Sequence, residues 1–514
     1  MWIAGIDHSR ELDRRSMEEF GIPSVVLMER AGQAVFDAVR EVIPECGSLA
    51  VVCGKGGNGG DGFVAARLAQ QAGFQVLCVV AAKEDELCPD ARREMHRAVS
   101  QGVCPIYTDN IHWADRLDSL SHFDMVIDAL LGTGVKTHVR GPVLEAIEAI
   151  NRSGTPVVAV DIPSGVDADT GEELGESVWA LRTVVMGQPK PYLFQGIGLE
   201  HTGLWTVADI GYPRELMREE TDSRLLEETY VADLMPVRQR AAHKGVNGHL
   251  LIVAGSHQMR GAAILAAEAA LRSGVGLVTV AGIESVCDAV ISRCPEALLL
   301  PLPEVDGVIS PSAANVIKNS SRSYSAALFG PGMTHSPAIL DLLSSLWSWW
   351  ETPSCIDADA LNAMSLGVAL PKTDCILTPH PGEMSRLLQI STAEVQCDRF
   401  KSVRLAVEKF DQTVLLKGPH SIVGSPAEPA SVNRTGNPGM AAGGMGDVLG
   451  GMIGTLMAQD LPSYFAGCVG MYWHGMAADK CAEEIAPIGY TARDVAAAIP
   501  RARAKLAESC CDNC

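Results

Sequence analysis

The sequence predicts an α/β protein of two domains, each built on a mostly parallel sheet covered by helices on both faces. Three observations carry this expectation. Short apolar runs of strand length alternate with longer segments of helical period along nearly the whole chain. The loops that follow the apolar runs are loaded with glycine, and in open α/β sheets ligands bind at these carboxyl ends of the strands. A charged stretch from about Pro213 to Met235 interrupts the alternation without a glycine-punctuated strand and reads as a linker. At 514 residues the chain has room for roughly three domains of about 150 residues, and α/β domains often run larger. We place the first domain at residues 1–215, the linker at 216–230 and the second domain at 231–508.

In the first domain, residues 24–39 form one helix with Leu27, Ala31, Val35 and Val39 along a single face. Strands are expected at 49–53, 75–81, 125–129 and 156–161, with helices at 61–72 and 144–151. In the second domain strands are expected at 249–254, 277–281, 326–329, 354–357, 375–378 and 413–417, with helices at 261–273 and 337–347. The halves do not repeat one another. Trp347, Trp349 and Trp350 cluster at the end of the last helix and read as helix packing or a subunit contact in preference to a ligand platform.

Apolar content of 47% and charged content of 20% mark an ordinary globular protein. The formal net charge is −21. So acidic a chain is a poor candidate for binding nucleic acid or an anionic membrane through its overall field. A phosphorylated ligand would have to be held by local N–H nests and single Lys or Arg residues. The first ten residues hold no basic region leading into a long apolar segment, so no signal peptide is expected. No apolar run reaches membrane-spanning length, so no transmembrane helix is expected either. Most of the 15 cysteines stand singly in apolar strands, as Cys53, Cys78, Cys355 and Cys375 do, which fits reduced thiols in a cytoplasmic protein. The tail Cys510-Cys511-Asp-Asn-Cys514 reads as a mobile, reactive end in preference to a metal site.

Chemistry concentrates at strand ends. Gly54-Lys-Gly-Gly-Asn58-Gly-Gly-Asp61-Gly62 follows a strand and opens a helix. It superficially matches a dinucleotide-binding turn, but extra glycines blur the spacing and no acidic residue ends the next strand to hold a ribose. Ordinary nicotinamide redox chemistry is therefore not supported. Asp128-Ala-Leu-Leu-Gly-Thr-Gly134 and Asp161-Ile-Pro-Ser-Gly-Val-Asp167 each follow a strand ending in a carboxylate. Singly, such Asp residues form turns or caps. Together Asn58, Asp61, Asp128, Asp161 and Ser164 on one rim would give oxygen ligands for a hard cation.

In the second domain the stretch Asn437–Gly451 packs glycines ahead of an apolar helix. Glycines there free backbone N–H groups to converge, and the helix N-terminus adds positive potential, so an anion such as phosphate should bind. The same field is expected to hold Asp447 ionised, ready to take a proton from a substrate hydroxyl. The plain alternative is a tight turn packing helix against sheet. Gly330-Pro-Gly332 lets a ligand approach the backbone. Asp357-Ala-Asp359-Ala-Leu-Asn362 organises magnesium through water or caps a helix. Thr378-Pro-His380-Pro-Gly-Glu383 presents a histidine read as a ligand contact. Leu416-Lys417-Gly418-Pro-His-Ser421 places a cation and a hydroxyl where a nucleotide phosphate would sit.

Over roughly residues 1–215, four stretches resemble the NAD(P)H-hydrate epimerase family: Val26-Leu-Met-Glu-Arg-Ala-Gly32, Asn58-Gly-Gly-Asp-Gly62, Asp128-Ala-Leu-Leu-Gly-Thr-Gly134 and Asp161-Ile-Pro-Ser-Gly-Val166. The resemblance implies a Rossmann-like three-layer αβα domain. Gly57, Asn58, Gly59, Gly60 and Asp61, with Gly132, Thr133, Gly134, Val135, Lys136, Thr137 and His138, would contact the hydrated dinucleotide. Asn58, Asp128 and Ser164 would hold a potassium ion, and Asp161 would act at the epimerising centre. That family usually has two Asn before Gly-Gly-Asp; here Gly57 offers only backbone.

Over roughly 230–505, the ordered set from Lys244-Gly245 through Gly330-Pro-Gly332, Asp357–Asn362, Thr378–Glu383 and Leu416–Gly418 to Gly443-Gly-Met-Gly-Asp447 resembles the ribokinase-like NAD(P)H-hydrate dehydratase family. It implies a ribokinase-like α/β domain in which Ala262, Gly332, His380 and Asp447 meet the hydrated cofactor. Lys417, Gly418, Pro419, His420, Ser421 and Gly446 would bind ADP or ATP with magnesium. Ser421 and Met445 stand where Thr is common. The joint expectation is a repair enzyme. Its first domain interconverts the R and S hydrates of NADH and NADPH (NADHX and NADPHX), and its second dehydrates the S form with Asp447 as base. ADP is favoured as donor, from the likeness to bacterial fusions, and a homo-oligomer is expected. The rivals are a small-molecule kinase fused to an unrelated domain, and a first domain that is only a nucleotide-binding scaffold.

Overall fold

The computed structural model describes residues 1–43, 47–219, 221–320 and 323–511, with side chains described to residue 508. Cys514, and the side chains of Cys510 and Cys511, lie outside the described residues. The chain divides into two compact units, Met1–Ser223 and Arg224–Cys514.

The first unit carries β1 (Ser48–Cys53), β2 (Gln75–Val80), β3 (Pro105–Ile106), β4 (Met125–Ala129), β5 (Val157–Val160), β6 (Arg182–Met186) and β7 (Leu204–Ala208) in one sheet of order β3-β2-β1-β4-β5-β6-β7. Its strand pairs are parallel. Side chains alternate across the sheet. Leu49, Val51 and Cys53 enter an apolar cluster with Val35 and Phe63, whereas Ala50 and Val52 enter another with Trp113 and Ile147. Two such clusters make three layers, and they explain why the central strands are apolar without interruption. The strand order reverses between β1 and β4, where the loops after them part to leave a crevice.

The helix Ser24–Arg40 buries Leu27, Ala31, Val35 and Val39 as its periodicity predicts. The next helix, Gly57–Gln71, starts four residues before the expected position. Its glycines are helical because close packing requires them there. A Cβ on Gly59 would lie 2.0 Å from the Gly54 carbonyl oxygen, and one on Gly60 would lie 2.6 Å from Met28 Sδ.

The second unit holds β9 (His249–Val253), β10 (Leu277–Gly282), β11 (Leu298–Pro301), β14 (Ala326–Phe329), β15 (Ser354–Ile356), β16 (Cys375–Leu377), β17 (Thr413–Leu416), β18 (Ile422–Gly424) and β19 (Ala430–Val432). With β8 (Ser223–Leu225) at one edge they form a sheet of order β11-β10-β9-β14-β15-β16-β17-β18-β19-β8. A separate ribbon pairs β12 (Glu304–Val305) with β13 (Val308–Ile309). The sheet is parallel from β11 to β17. It then turns antiparallel through β18 and β19.

The stretch that reads as a linker contains the helix Arg214–Met217, β8 and the helix Glu228–Leu234. Leu216, Leu225, Leu226 and Val231 are buried there, an apolar signal outnumbered by charges in the sequence. Trp347 and Trp350 pack edge-on against Phe329, at 5.9 and 5.3 Å between ring centres, so this part of the cluster is helix packing. Cys53, Cys78, Cys355 and Cys375 are buried free thiols. Among the described residues no helix is long and apolar enough to cross a membrane.

Candidate active sites

At the switch point of the first sheet, loops and helices close around a cavity of about 730 Å³. A Cβ on Gly54, just past β1, would lie 1.8 Å from the Leu130 carbonyl oxygen, so only glycine lets these loops meet. Gly57, Asn58, Asp61, Gly132, Thr133, Gly134, Val135 and Asp161 line the cavity. Gly59 and Gly60 lie beneath, in the helix packing. Lys136, Thr137 and His138 are not part of the wall. Lys136 pairs with Asp169 at 3.4 Å, and His138 lies against Gly175.

Asp161 takes a left-handed backbone conformation (φ 64), rare for a residue with a side chain. It is held there on both sides. Its Oδ1 accepts from Lys190 Nζ at 2.7 Å and from the Met186 N–H at 2.9 Å, and its carbonyl accepts from the Tyr192 hydroxyl at 2.7 Å. Lys190 is buried and also donates to the carbonyls of Met186 and Gln188. Sequence reasoning missed this lysine. It stands in Gly187-Gln-Pro-Lys190-Pro just after β6, and a lone cation between prolines carries no pattern. Burial, then the charges of Asp161, Asp13 and Glu94, push the Asp61 carboxyl well above its usual range.

Asn58, Asp128 and Ser164 share one network. Asp128, wholly buried, accepts from Ser164 Oγ at 2.6 Å, from the Ser164 N–H at 2.8 Å and from the Leu130 N–H at 3.2 Å. Asn58 Nδ2 donates to the carbonyls of Leu131 (2.8 Å) and Val160 (3.0 Å). Burial pushes the Asp128 carboxyl up to about 6 against these hydrogen bonds. No basic side chain pairs with it among the described residues. An all-oxygen set of carboxylate, amide, hydroxyl and carbonyls around an unbalanced buried acid fits a hard monovalent cation. No cluster of three or more His, Cys, Asp or Glu side chains with metal-binding geometry occurs among the described residues.

In the second unit, Gly444 (φ 89) turns the glycine loop into the helix Met445–Ala458, with Asp447 in its first turn. Lys417 Nζ lies 2.6 Å from Asp357 Oδ1 and 3.9 Å from Glu383 Oε2, and Thr378 Oγ1 donates to the same Asp357 oxygen at 2.8 Å. A Cβ on Gly446 would lie 3.4 Å from Lys417 Nζ, so the helix N-terminus faces this ion pair directly. Asp357 occupies the N-cap position of the helix Ala358–Ser365 without making a capping bond. Its partner is Lys417.

Gly332 (φ 64) lies against Ala262, 3.0 Å between its ideal Cβ and that of Ala262. His380 Nδ1 accepts from the N–H groups of Gly382 (3.0 Å) and Glu383 (3.4 Å), which leaves the ring proton on the half-exposed Nε2. The turn Lys417–Ser421 is fixed from two sides: buried Arg399, which sequence reasoning missed, donates to the Pro419 carbonyl, and His420 Nδ1–H donates to the Asn433 carbonyl at 3.0 Å. Ser421 Oγ donates to the Gly418 carbonyl at 3.1 Å.

The expected ionised state of Asp447 needs correction. Burial, reinforced by the charges of Asp357 and Asp359 and moderated by Lys417, pushes its carboxyl up to about 7. A helix N-terminus contributes at most about 1–2 kcal/mol to such a charge, too little to offset that environment. The resulting group is balanced between acid and base at neutral pH.

A glycine loop and a paired lysine around a carboxylate of this kind in one domain, and a switch-point cavity lined by carboxylates in the other, define a two-domain α/β enzyme with one phosphate-handling centre and one acid–base centre. Residues 250–501 match the family model described as NAD(P)H-hydrate dehydratase, and residues 24–192 match that of the YjeF-related protein N-terminus. The bifunctional NAD(P)H-hydrate repair enzyme of Coxiella burnetii is 39% identical over 95% of this chain and 96% of its own length. That of Moorella thermoacetica is 36% identical over 94% of this chain and 93% of its own length. The chain belongs to the bifunctional NAD(P)H-hydrate repair enzyme family. A ribokinase-like superfamily protein from Enterococcus faecalis aligns at a TM-score of 0.50 with 25% identity, covering 56% of this chain and 98% of that one. This agrees with the ribokinase-like α/β architecture expected for the second domain.

Proposed function

We propose that the protein repairs hydrated NADH and NADPH in two steps. Its first domain, residues 1–215, interconverts the R and S hydrates at C6. Its second, residues 231–508 beyond the segment 216–230, dehydrates the S hydrate. The convergence of Asp447, Gly446, Lys417 and Asp357 supports this reading most directly. Asp447 takes the proton of the C6 hydroxyl, and the freed oxygen attacks the terminal phosphate of ADP, displacing AMP, or of ATP, displacing ADP. N–H groups at Gly444–Gly446 and the Lys417 ammonium stabilise the charge on the transferred group. Phosphate then leaves C6 with the bonding electrons, a C5 proton departs, and the dihydronicotinamide ring is restored.

Ala262, Gly332 and His380 hold the hydrated ring, and the fixed turn Lys417–Ser421 cradles the nucleotide, which brings magnesium on its phosphates. In the first domain the cavity wall of Gly57, Asn58, Asp61, Gly132–Val135 and Asp161 receives the dinucleotide, with Gly59 and Gly60 packed beneath and Lys136–His138 beyond the wall. Asn58, Asp128 and Ser164 hold potassium, which supplies the counter-charge that Asp128 lacks. We place the enzyme in the cytoplasm, in keeping with its buried free thiols, and as a homo-oligomer.

The test is absorbance at the reduced-nicotinamide band during incubation with mixed R and S NADH hydrate, magnesium, potassium and either ADP or ATP. Full recovery of NADH is expected, fastest with ADP. Recovery that stops once the S form is used would leave the first domain a scaffold. A stable phosphorylated product without NADH would establish the kinase instead.

A further inference from the structure

The epimerase reading names Asp161 at the reacting centre but leaves open what the rest of the cavity does there. Lys190 uses its ammonium on three fixed acceptors: Asp161 Oδ1 and the carbonyls of Met186 and Gln188. It has no hydrogen left for a substrate. Asp161 Oδ1 is doubly occupied, and its Oδ2 has no partner among the described residues while the residue lines the cavity. Asp61, on the neighbouring helix, lines the same cavity with no side-chain hydrogen bond or ion pair of its own among the described residues.

Resting on the epimerase reading, we propose that Asp161 and Asp61 form a base–acid couple that epimerises the hydrate by opening its ring, with Lys190 as the positioning residue that aims Asp161. The carbon to be inverted is a hemiaminal, bonded to both a hydroxyl and the ring nitrogen N1. Asp161 Oδ2 removes the hydroxyl proton, and the oxygen lone pair forms a C=O bond. The C6–N1 bonding pair moves to N1, which takes the proton of Asp61. The free aldehyde rotates and presents its other face. N1 then attacks C6, Asp61 recovers its proton from N1, and Asp161 returns one to oxygen, so the enzyme is restored within a turnover. Two groups on one cavity suffice, because the atoms they serve are bonded to one carbon.

A carboxyl whose surroundings oppose its charge is suited to act as the acid. The groups facing Asp61 are Asp161 past β5, Asp13 on the helix Ile6–Glu18 and Glu94 on the helix Pro89–Ser100, all acidic. Tyr212 closes the same wall through its hydrogen bond to Asp13 at 2.5 Å. Together with burial these keep a proton on Asp61. Lys190, a cation on the same wall, is committed to Asp161 and the Met186 and Gln188 carbonyls.

The test follows inversion of purified R NADH hydrate by the intact protein with potassium and no nucleotide, resolved by chromatography. A wild type that does not invert the hydrate overturns the epimerase reading itself. Given an active wild type, Asp61→Asn should slow inversion by about 10²–10⁴-fold, while dehydration of the S hydrate with ADP at the other site is kept. The wild-type rate should fall as pH rises and Asp61 loses its proton, and the residual Asp61→Asn rate should lack that limb. Lys190→Gln should slow inversion, and Lys190→Arg should recover part of the loss. In ¹⁸O-water the inverted hydrate should keep its original oxygen. Inversion by Asp61→Asn within about threefold of wild type, or a solvent oxygen gained with each inversion, overturns the proposal.

Discussion

Asp61 and Asp447 begin alike and end differently. Each follows a glycine-rich loop past a strand, each lies near the start of a helix, and each has its ionisation opposed by burial. Around Asp61 the charges that act on it are Asp161, Asp13 and Glu94, and among the described residues the nearby Lys190 is spent on Asp161. Around Asp447 two carboxylates also press upward, but Lys417 stands among them and the carboxyl settles near 7. The glycine loop therefore supplies location and room, and the second ring of charges decides whether the carboxyl serves as acid or base. What separates the two outcomes is whether the lysine at the site acts on the carboxyl itself, as Lys417 does on Asp447.

The comparison is broken most severely by removing the base. Asp447→Asn should cut dehydration of S hydrate by about 10²–10⁴-fold, with inversion of R hydrate untouched, read by NADH absorbance and by chromatography. In wild type the two reactions should show opposite pH limbs. Dehydration should fall as pH drops below about 7, because the base must be ionised, whereas inversion should fall as pH rises. Matching limbs would sink the assignment of roles.

Lys417→Met makes the second site resemble the first. Asp357 would be left buried without its partner, at a stability cost on the order of 3 kcal/mol, seen as a lower melting temperature of the second unit. Lys417 also lowers the Asp447 carboxyl, so the acid limb of residual dehydration should move to higher pH.

A subtler comparison is Asp128, buried without a cation. Its carboxyl ionises near 6 in the fold against roughly 4 in an unfolded chain. The neutral acid's stabilising contribution is thus full below that lower value and is lost as pH rises through about 6. The full difference is about 3 kcal/mol. Potassium should therefore raise the melting temperature of the first unit more at pH 8 than at pH 5, and Asp128→Asn should abolish that dependence.

Gly57→Asn is the mildest change. No atom lies within 4 Å of a Cβ built there, and a restored side chain should tighten hydrate binding by about two- to fivefold, roughly one added hydrogen bond, measurable as a lower KM for inversion.

Much of this was legible in the chain. Strands β4 and β14 and the helix Pro337–Trp347 fall where the apolar runs place them, because buried parallel strands and long amphipathic helices leave strong periodic signals. The positions of Asn58, Asp128, Ser164, Lys417 and Asp447 followed from strand ends and glycine loops. What escaped were Lys190, Arg399 and the pairings of residues far apart along the chain. Lys190 meets Asp161 across 29 positions, Arg399 meets Pro419 across 20, and Asp357 meets Lys417 across 60. Local pattern cannot show such pairings. The ionisation of Asp447 was misjudged for the same reason: the helix start is local, whereas the opposing carboxylates arrive through the fold.

The burial of Asp447 also sets how repair responds to acidification. With its carboxyl near 7, each unit of pH lost below that point removes about nine-tenths of the remaining ionised base, while the protonated acid that opens the hemiaminal stays in place. In an acidified medium the second reaction slows and the first does not, so damaged cofactor collects as an equilibrated pair of epimers. When pH recovers, dehydration draws on that pair as it runs, and neither hand is left stranded.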